Sequence, residues 1–197
     1  YWRTNVAVVA GVAAAVAVLA GALVAGQSVR ASLRDLLSQR LGATDDVVSA
    51  DRFFRQELAL AFAADHPPEH VRASCPLIAV KGSLTREGTN REAFDVNVYG
   101  VDERFFRFHG LPLPPAFEDQ AAVVGAPLAA QLGLHAGDGL LLLVGSGQDV
   151  PGESLYGRRD ATTRTIRLTS TGVAGLDELG EFALRPGQAA VFSLFVP

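Results

Sequence analysis

One pair of histidines is the first feature of this sequence that could bind a metal ion. His66 and His70 lie four residues apart, the spacing at which two imidazoles can bind one metal from a helical face. Pro67 and Pro68 lie between them, and because residues before proline avoid the helical region, the two rings need not share a face. No third ligand is apparent, so we expect loop histidines and no metal site.

Nucleophilic catalysis and nucleotide binding are not indicated either. Cys75 precedes Pro76 at the edge of an apolar segment, where a small buried side chain is the expected role of a thiol. His109 and His135 are isolated, with no G-x-S-x-G motif to supply a catalytic partner. The phosphate-binding patterns G-x-x-x-x-G-K-[ST] and G-x-G-x-x-G do not occur. The sequence therefore predicts a non-enzymatic chain without catalytic, cofactor-binding or metal-binding residues.

An uncharged stretch between Arg3 and Arg30 consists almost entirely of Val, Ala, Leu and Gly. Because about 20 apolar helical residues cross the hydrocarbon core of a bilayer, this stretch is long enough for one transmembrane helix. Its Val and Leu residues give an insertion free energy of roughly −3 to −5 kcal/mol. Ala17, Gly21 and Ala25 recur at four-residue spacing, which would let a neighbouring helix pack closely. The alternative is chance spacing in an alanine-rich helix.

Helical periodicity continues beyond the uncharged stretch. Apolar residues recur at three- and four-residue steps, namely Val29, Leu33, Leu36, Leu37 and Leu41. Gly42 then supplies a C-terminal stop, so we predict one long helix over 5–41 whose second part lies outside the bilayer. A secretory signal peptide is the alternative, since Ala20-Gly-Ala22 has the form of a cleavage site, although the apolar run exceeds the usual length of about 7 to 15 residues.

The rest of the chain alternates strand and helix patterns, which predicts a mixed α+β domain. A proline-rich connector, LPLPP, leaves open a division into lobes 42–115 and 116–197. The predicted elements are, in order, a strand (43–52), a helix (52–64, with Asp51 as N-cap), a hairpin (71–101), a short aromatic helix (DERFFRFHG), a strand–helix–turn–strand unit (121–144), a long polar loop (145–163) and two strands (165–173 and 189–195).

Composition and charge exclude some partners. The net charge is −4 and no cluster of Lys or Arg occurs, which argues against nucleic acid. The single cysteine excludes an internal disulfide. Three arginines follow the uncharged stretch and one precedes it, so the positive-inside rule alone would place the domain in the cytoplasm. The chain begins with Tyr rather than Met, and we expect it to be a fragment of a longer protein.

A membrane span followed in order by four segments resembles ABC transporter permeases of the MacB and FtsX type. The segments are SVRASLRDLLSQRLG, DDVVSADRFFRQELA, VNVYGVDERFF and VVGAPLAAQLGLHAGDGLLLLV. The resemblance implies a first transmembrane helix and stalk over 1–41. It also implies a MacB-like periplasmic core domain over 42–197, truncated at its C-terminal part and lacking the three later membrane helices of the family.

The resemblance also implies a function and its partners. It implies a permease subunit in the bacterial inner membrane, working as a homodimer or heterodimer with a separate or fused cytoplasmic ABC ATPase. In such permeases the long helix transmits ATP-driven motion to the extracytoplasmic domain. The alternatives are a protein anchored by a single span, whose outer domain binds a ligand or senses the envelope, and a cleaved, secreted domain.

Overall fold

The computed structural model describes residues 1–50, 52–67, 69, 71–145, 164–175, 178–185 and 190–197. Within these ranges the chain forms four helices and six strands. It divides into two compact units, Tyr1–Ser38 and Gln39–Pro197. The first is purely helical, and the second contains every strand described.

The first helix, α1 (Trp2–Leu41), is continuous over 40 residues, about 60 Å at 1.5 Å per residue. It contains no proline and is rich in alanine, the residue that most favours the helical backbone. Its side chains up to Ser38 are exposed apart from half-buried Leu36, and its composition and length suit a membrane span. The helix ends where Gly42 adopts a positive φ of 58°, so the predicted long helix and its glycine stop are confirmed.

The second unit contains a closed six-stranded barrel in the order β1-β2-β6-β3-β5-β4. The strands are β1 (Ile78–Arg86), β2 (Glu92–Gly100), β3 (Ala121–Gly125), β4 (Gly139–Val144), β5 (Arg164–Ala174) and β6 (Ser193–Val196). The pairs β2–β6 and β3–β5 are parallel, and the remaining pairs are antiparallel. Strands from both sides of residue 115 thus share one sheet, so the lobes 42–115 and 116–197 do not form separate sheets.

Three short helices accompany the barrel: α2 (Glu57–Asp65), α3 (Glu103–Phe108) and α4 (Ala126–Leu132). The side chain of Asp102 caps α3 by accepting a hydrogen bond from the Arg104 backbone N–H at 2.8 Å. The left-handed Gly133 ends α4. The predicted hairpin, aromatic helix and strand–helix–turn–strand unit are therefore confirmed.

The buried side chains form two clusters. One fills the barrel and includes Leu84, Val96, Val124, Leu140, Leu168 and Leu194, with Leu128 and Leu132 of α4 packed against them. The other is aromatic and contains Tyr99, Phe105, Phe106, Phe182 and Phe195. Each strand contributes alternate side chains to a core, as the two-residue period of a strand requires.

Two predicted elements differ from the structure. Residues 43–50 contain no strand, and Val48 is 77% exposed. A strand needs a neighbouring strand to pair its backbone groups, and among the described residues this segment has none. The helix predicted over 52–64 begins only at Glu57, and none of its nine residues is buried. Tertiary packing therefore adds little to the weak helical propensity of so short a segment. Asp51, His70 and the loop residues 146–163 lie outside the described residues.

Gly125 lies at the start of α4, where a side chain would collide with neighbouring groups. A Cβ there would meet the carbonyl oxygen of Gly180 and the Ser193 hydroxyl, which itself donates to that carbonyl at 2.8 Å. We expect Gly125→Ala to lower the free energy of unfolding by about 1–3 kcal/mol, measured by urea denaturation with pulse proteolysis. The control is Gly172→Ala, whose Cβ would meet nothing within 4 Å; equal losses in both variants would contradict the prediction.

Candidate functional site

The last turn of α1 is embedded in the second unit through Arg40. The Arg40 side chain is only 5% exposed, and its Nε and Nη2 donate to Oε2 of Glu181 at 3.1 and 2.9 Å. The Arg40 carbonyl oxygen also accepts a hydrogen bond from the Ala183 backbone N–H at 3.1 Å. Both contacts join α1 to the same segment between β5 and β6. A backbone hydrogen bond to Ala183 and an ion pair with Glu181 therefore fix the helix end.

Gly42 allows the chain to leave the helix at this position. Its positive φ of 58° suits glycine, and a Cβ would lie 2.6 Å from Leu179 Cδ2 and 2.7 Å from His109 Nδ1. The next residue, Ala43, donates its backbone N–H to His109 Nδ1 at 3.1 Å. We refer to Arg40, Gly42, Ala43, His109 and Glu181 as the helix anchor.

His109 is held among aromatic rings. Its ring centroid lies 4.6 Å from that of Phe105, 5.0 Å from Phe108 and 5.4 Å from Phe182. Burial lowers the pKa of His109 to about 4 because the charged imidazolium loses its hydration. The ring is therefore neutral near pH 7, and with Nδ1 accepting from Ala43 its proton resides on Nε2.

The aromatic rings behind His109 connect the helix anchor to the barrel strands. Phe182 contacts Phe105 at a centroid distance of 5.3 Å and Tyr99 of β2 at 5.0 Å. Phe195 of β6 lies 5.7 Å from Tyr99 and 5.6 Å from Phe105. Close-packed rings deform little, so the aromatic cluster joins the helix anchor rigidly to β2 and β6.

His109 is the functional candidate that sequence reasoning missed, since the sequence suggested an isolated residue. In the structure, His109 Nδ1 accepts a hydrogen bond from the backbone N–H of Ala43, which lies 66 residues away in the chain. The aromatic pattern of α3 did predict the neighbouring packing: Phe105 and Phe106 are buried and Phe108 is half-buried. No local pattern identifies a backbone N–H as the partner of a distant imidazole.

The remaining candidates lie apart from the helix anchor. Cys75 is half-buried, and its burial raises the pKa of the thiol to about 11, which suppresses the nucleophilic thiolate. Nδ1 of His66 lies 2.8 Å from the Phe62 carbonyl oxygen, and exposed His135 lies beside Asp138. Within the described ranges, no three His, Cys, Asp or Glu residues are grouped to hold a metal ion.

The small residues of α1 lie in the first unit. Ala17, Gly21 and Ala25 are all exposed and helical, and a Cβ on Gly21 would meet nothing within 4 Å. Their spacing of four places them on one helical face. Their role in packing against another helix stays a prediction.

A family model described as the MacB-like periplasmic core domain matches residues 6–184, most of the sequence. The chain belongs to the MacB-like periplasmic core domain family. This confirms the resemblance to MacB- and FtsX-type permeases and supports a place in an ABC transporter-type permease family. No curated protein matches the chain.

Membership in the MacB-like family also bears on location and partners. The apolar helix α1 together with a periplasmic core domain supports a membrane protein with an extracytoplasmic domain, opposite to the location that the arginine count alone would give. The family works with ABC ATPase partners in general.

The Arg40–Glu181 pair gives a stability prediction for this MacB-like domain. We expect Arg40→Ala to lower the free energy of unfolding by about 1–3 kcal/mol, because Glu181 loses charge-assisted hydrogen bonds in a partly buried site. The control is Lys81→Ala, which breaks an exposed ion pair with Asp95 and should cost at most about 1 kcal/mol. Urea denaturation measures both, and equal costs would argue against the anchoring role of Arg40.

Protonation of His109 gives a pH prediction. Its pKa is about 4 in the fold and 6.5 as the ordinary value, so the unfolded chain binds a proton first as the pH falls. The contribution of the neutral His109 ring to the free energy of unfolding is complete above pH 6.5. It is lost as the pH falls from 6.5 towards 4. Charging the ring also turns Nδ1 into a donor facing the Ala43 N–H.

The test compares the melting temperature of the parent chain between pH 7.5 and 4.5 with that of His109→Gln. We expect a smaller decrease over this range in the variant, because it lacks the titrating ring. His135→Gln, which changes an 84% exposed side chain, should retain the parent slope. An unchanged slope in His109→Gln would refute the prediction.

Proposed function

We propose that the chain is the first transmembrane helix and core domain of an ABC transporter permease subunit in the bacterial inner membrane. A partner ATPase, or an ATPase domain fused to the permease, hydrolyses ATP in the cytoplasm. The permease transmits the resulting motion through α1 to the extracytoplasmic domain, for export or for lipoprotein and envelope work. In this proposal the chain itself is not an enzyme and needs no cofactor.

One observation carries the proposal. The helix is unbroken from Trp2 to Leu41, and in its last turn Arg40 is buried in the second unit, after which Gly42 ends the helix. A continuous helix transmits displacement, whereas a flexible glycine- and serine-rich linker would absorb it. An anchor that served only to retain the domain at the membrane would need neither continuity nor a buried end.

A permease also needs other membrane helices beside α1, and the proposal assigns them a contact face. Ala17, Gly21 and Ala25 are small enough for a neighbouring helix to approach closely. The neighbour is another helix of the same permease or of the second permease subunit, in a homodimer or heterodimer.

The test breaks helix continuity outside the membrane while keeping both ends intact. Ser32 lies in α1 after the uncharged stretch and before the second unit. In Ser32→Pro the ring removes one backbone hydrogen bond and kinks the helix, at a cost of about 3 kcal/mol. Ser32→Ala, which favours the helix, is the matched control.

The measurement uses the full-length permease with its ATPase partner in nanodiscs. Fluorescent probes are attached at Glu118→Cys in a Cys75→Ser background. Energy transfer between the probes of the two permease subunits reports ATP-dependent movement of their extracytoplasmic domains. We expect Ser32→Pro to lose most of this change while ATP hydrolysis continues, and Ser32→Ala to keep it. Movement that persists in Ser32→Pro would refute transmission through α1, and release of the parent chain by alkaline carbonate would refute the membrane span.

A further inference from the structure

The helix α2 has an unusual distribution of side chains. Its small residues Ala59 and Ala63 are half-buried, whereas Leu58 and Leu60 are each 55% exposed and Phe62 is 41% exposed. None of its residues is buried. A helix that is apolar on all sides is normally covered, so the large side chains of α2 indicate a surface that another molecule covers.

Polar contacts rather than apolar packing hold α2 on the second unit. The Ser74 hydroxyl donates to the Ala59 carbonyl oxygen at 2.6 Å, and Arg104 Nη2 donates to Gln56 Oε1 at 3.2 Å. These contacts hold the alanine side of α2 inward and leave Leu58 and Phe62 outward on one helical face, four residues apart. Exposed Phe53 and Phe54 extend the apolar surface at the N-terminal side.

The charges around α2 indicate what covers it. Arg52 and Arg55 precede the helix, whereas Asp65 ends it and Glu69 follows. Among the described residues none of these four forms an ion pair. This order opposes the helix macrodipole, which favours anions at the N-terminus and cations at the C-terminus; Glu57 in the first turn is the exception.

We propose that α2 packs antiparallel against α2 of a second copy of this chain. An antiparallel arrangement brings the cationic N-terminal side of each helix to the acidic C-terminal side of the other. With Arg55 opposite the partner's Asp65, the same register places Leu58 opposite the partner's Phe62. The contact is two-fold symmetric, so one patch on each copy completes it.

A bilayer surface fits α2 less well. A helix that lies on a membrane has one apolar and one polar face, whereas α2 is apolar on all sides and has carboxylates at Glu57 and Asp65. Those carboxylates would be repelled by anionic headgroups. Charge pairing with a second copy uses the carboxylate of Asp65 instead.

The contact area suggests a weak pair that depends on a shared membrane. The large side chains of the patch offer on the order of 500 Å² per copy, below the about 800 Å² of a standard interface. The pairing therefore rests on the proposed function in one respect, because two copies in one bilayer reach the high effective concentration that such a contact needs.

The test is disulfide cross-linking of full chains reconstituted together in liposomes. Both chains carry Cys75→Ser; one carries Leu58→Cys and a first tag, and the other carries Phe62→Cys and a second tag. We expect the mixed-tag disulfide to exceed either same-tag product several-fold. Arg55→Glu in both chains should lower the mixed yield several-fold, and adding Asp65→Arg should restore it, because the swapped charges attract again. Arg91→Glu, a charge reversal at an exposed position outside α2, is the control and should leave the yield unchanged.

Other results would overturn the pairing. A mixed yield no greater than the same-tag yields would exclude this register, and a yield unaffected by Arg55→Glu would exclude the charge pairing. Binding of α2 to vesicles of anionic phospholipid that protects Phe62→Cys from a water-soluble thiol reagent, without cross-links, would assign the surface to the membrane. None of these results changes whether Ser32→Pro blocks ATP-dependent movement, so failure here is distinguishable from failure of the proposed function.

Discussion

The close approach of Gly42 to Leu179 and His109 is the constraint on which the other contacts of the helix anchor depend. A Cβ at Gly42 would displace both side chains, and the positive φ of 58° disfavours residues other than glycine at this position. With Gly42 in this conformation, the Ala43 N–H donates to His109 Nδ1 and the Arg40 carbonyl oxygen accepts from the Ala183 N–H. Steric exclusion at one glycine thus positions two hydrogen bonds, and the Arg40–Glu181 pair adds charge to the same contact.

The helix anchor joins two kinds of interaction that respond differently to the surroundings. The packing of Phe105, Phe182 and Phe195 depends on excluding water from apolar rings and changes little with pH. The hydrogen bond that His109 accepts from Ala43 depends on the protonation state of the ring, which burial biases towards the neutral imidazole. The packing supplies rigidity, and the polar contacts supply the defined position of the helix end.

Elements with strong local patterns could be predicted from the sequence, and elements that depend on distant partners could not. The long helix followed from one uncharged apolar run and a glycine, and the hairpin from two alternating segments around a polar loop. The strand predicted over 43–52 failed because strands need neighbours, which no local pattern reports. The order of strands in the barrel and the contact between Ala43 and His109 join residues far apart in the chain, so they needed the structure.

Closure of the barrel limits how this domain can meet other proteins. An open sheet has edge strands with unpaired backbone groups, which can accept an additional strand from a peptide or from a neighbouring chain. Here β1 pairs with β4 and the circuit of strands is complete. Where a strand is paired on both sides, recognition depends on side chains of the outer surface, and substitutions there can change the choice of partner without disturbing the hydrogen bonds of the barrel.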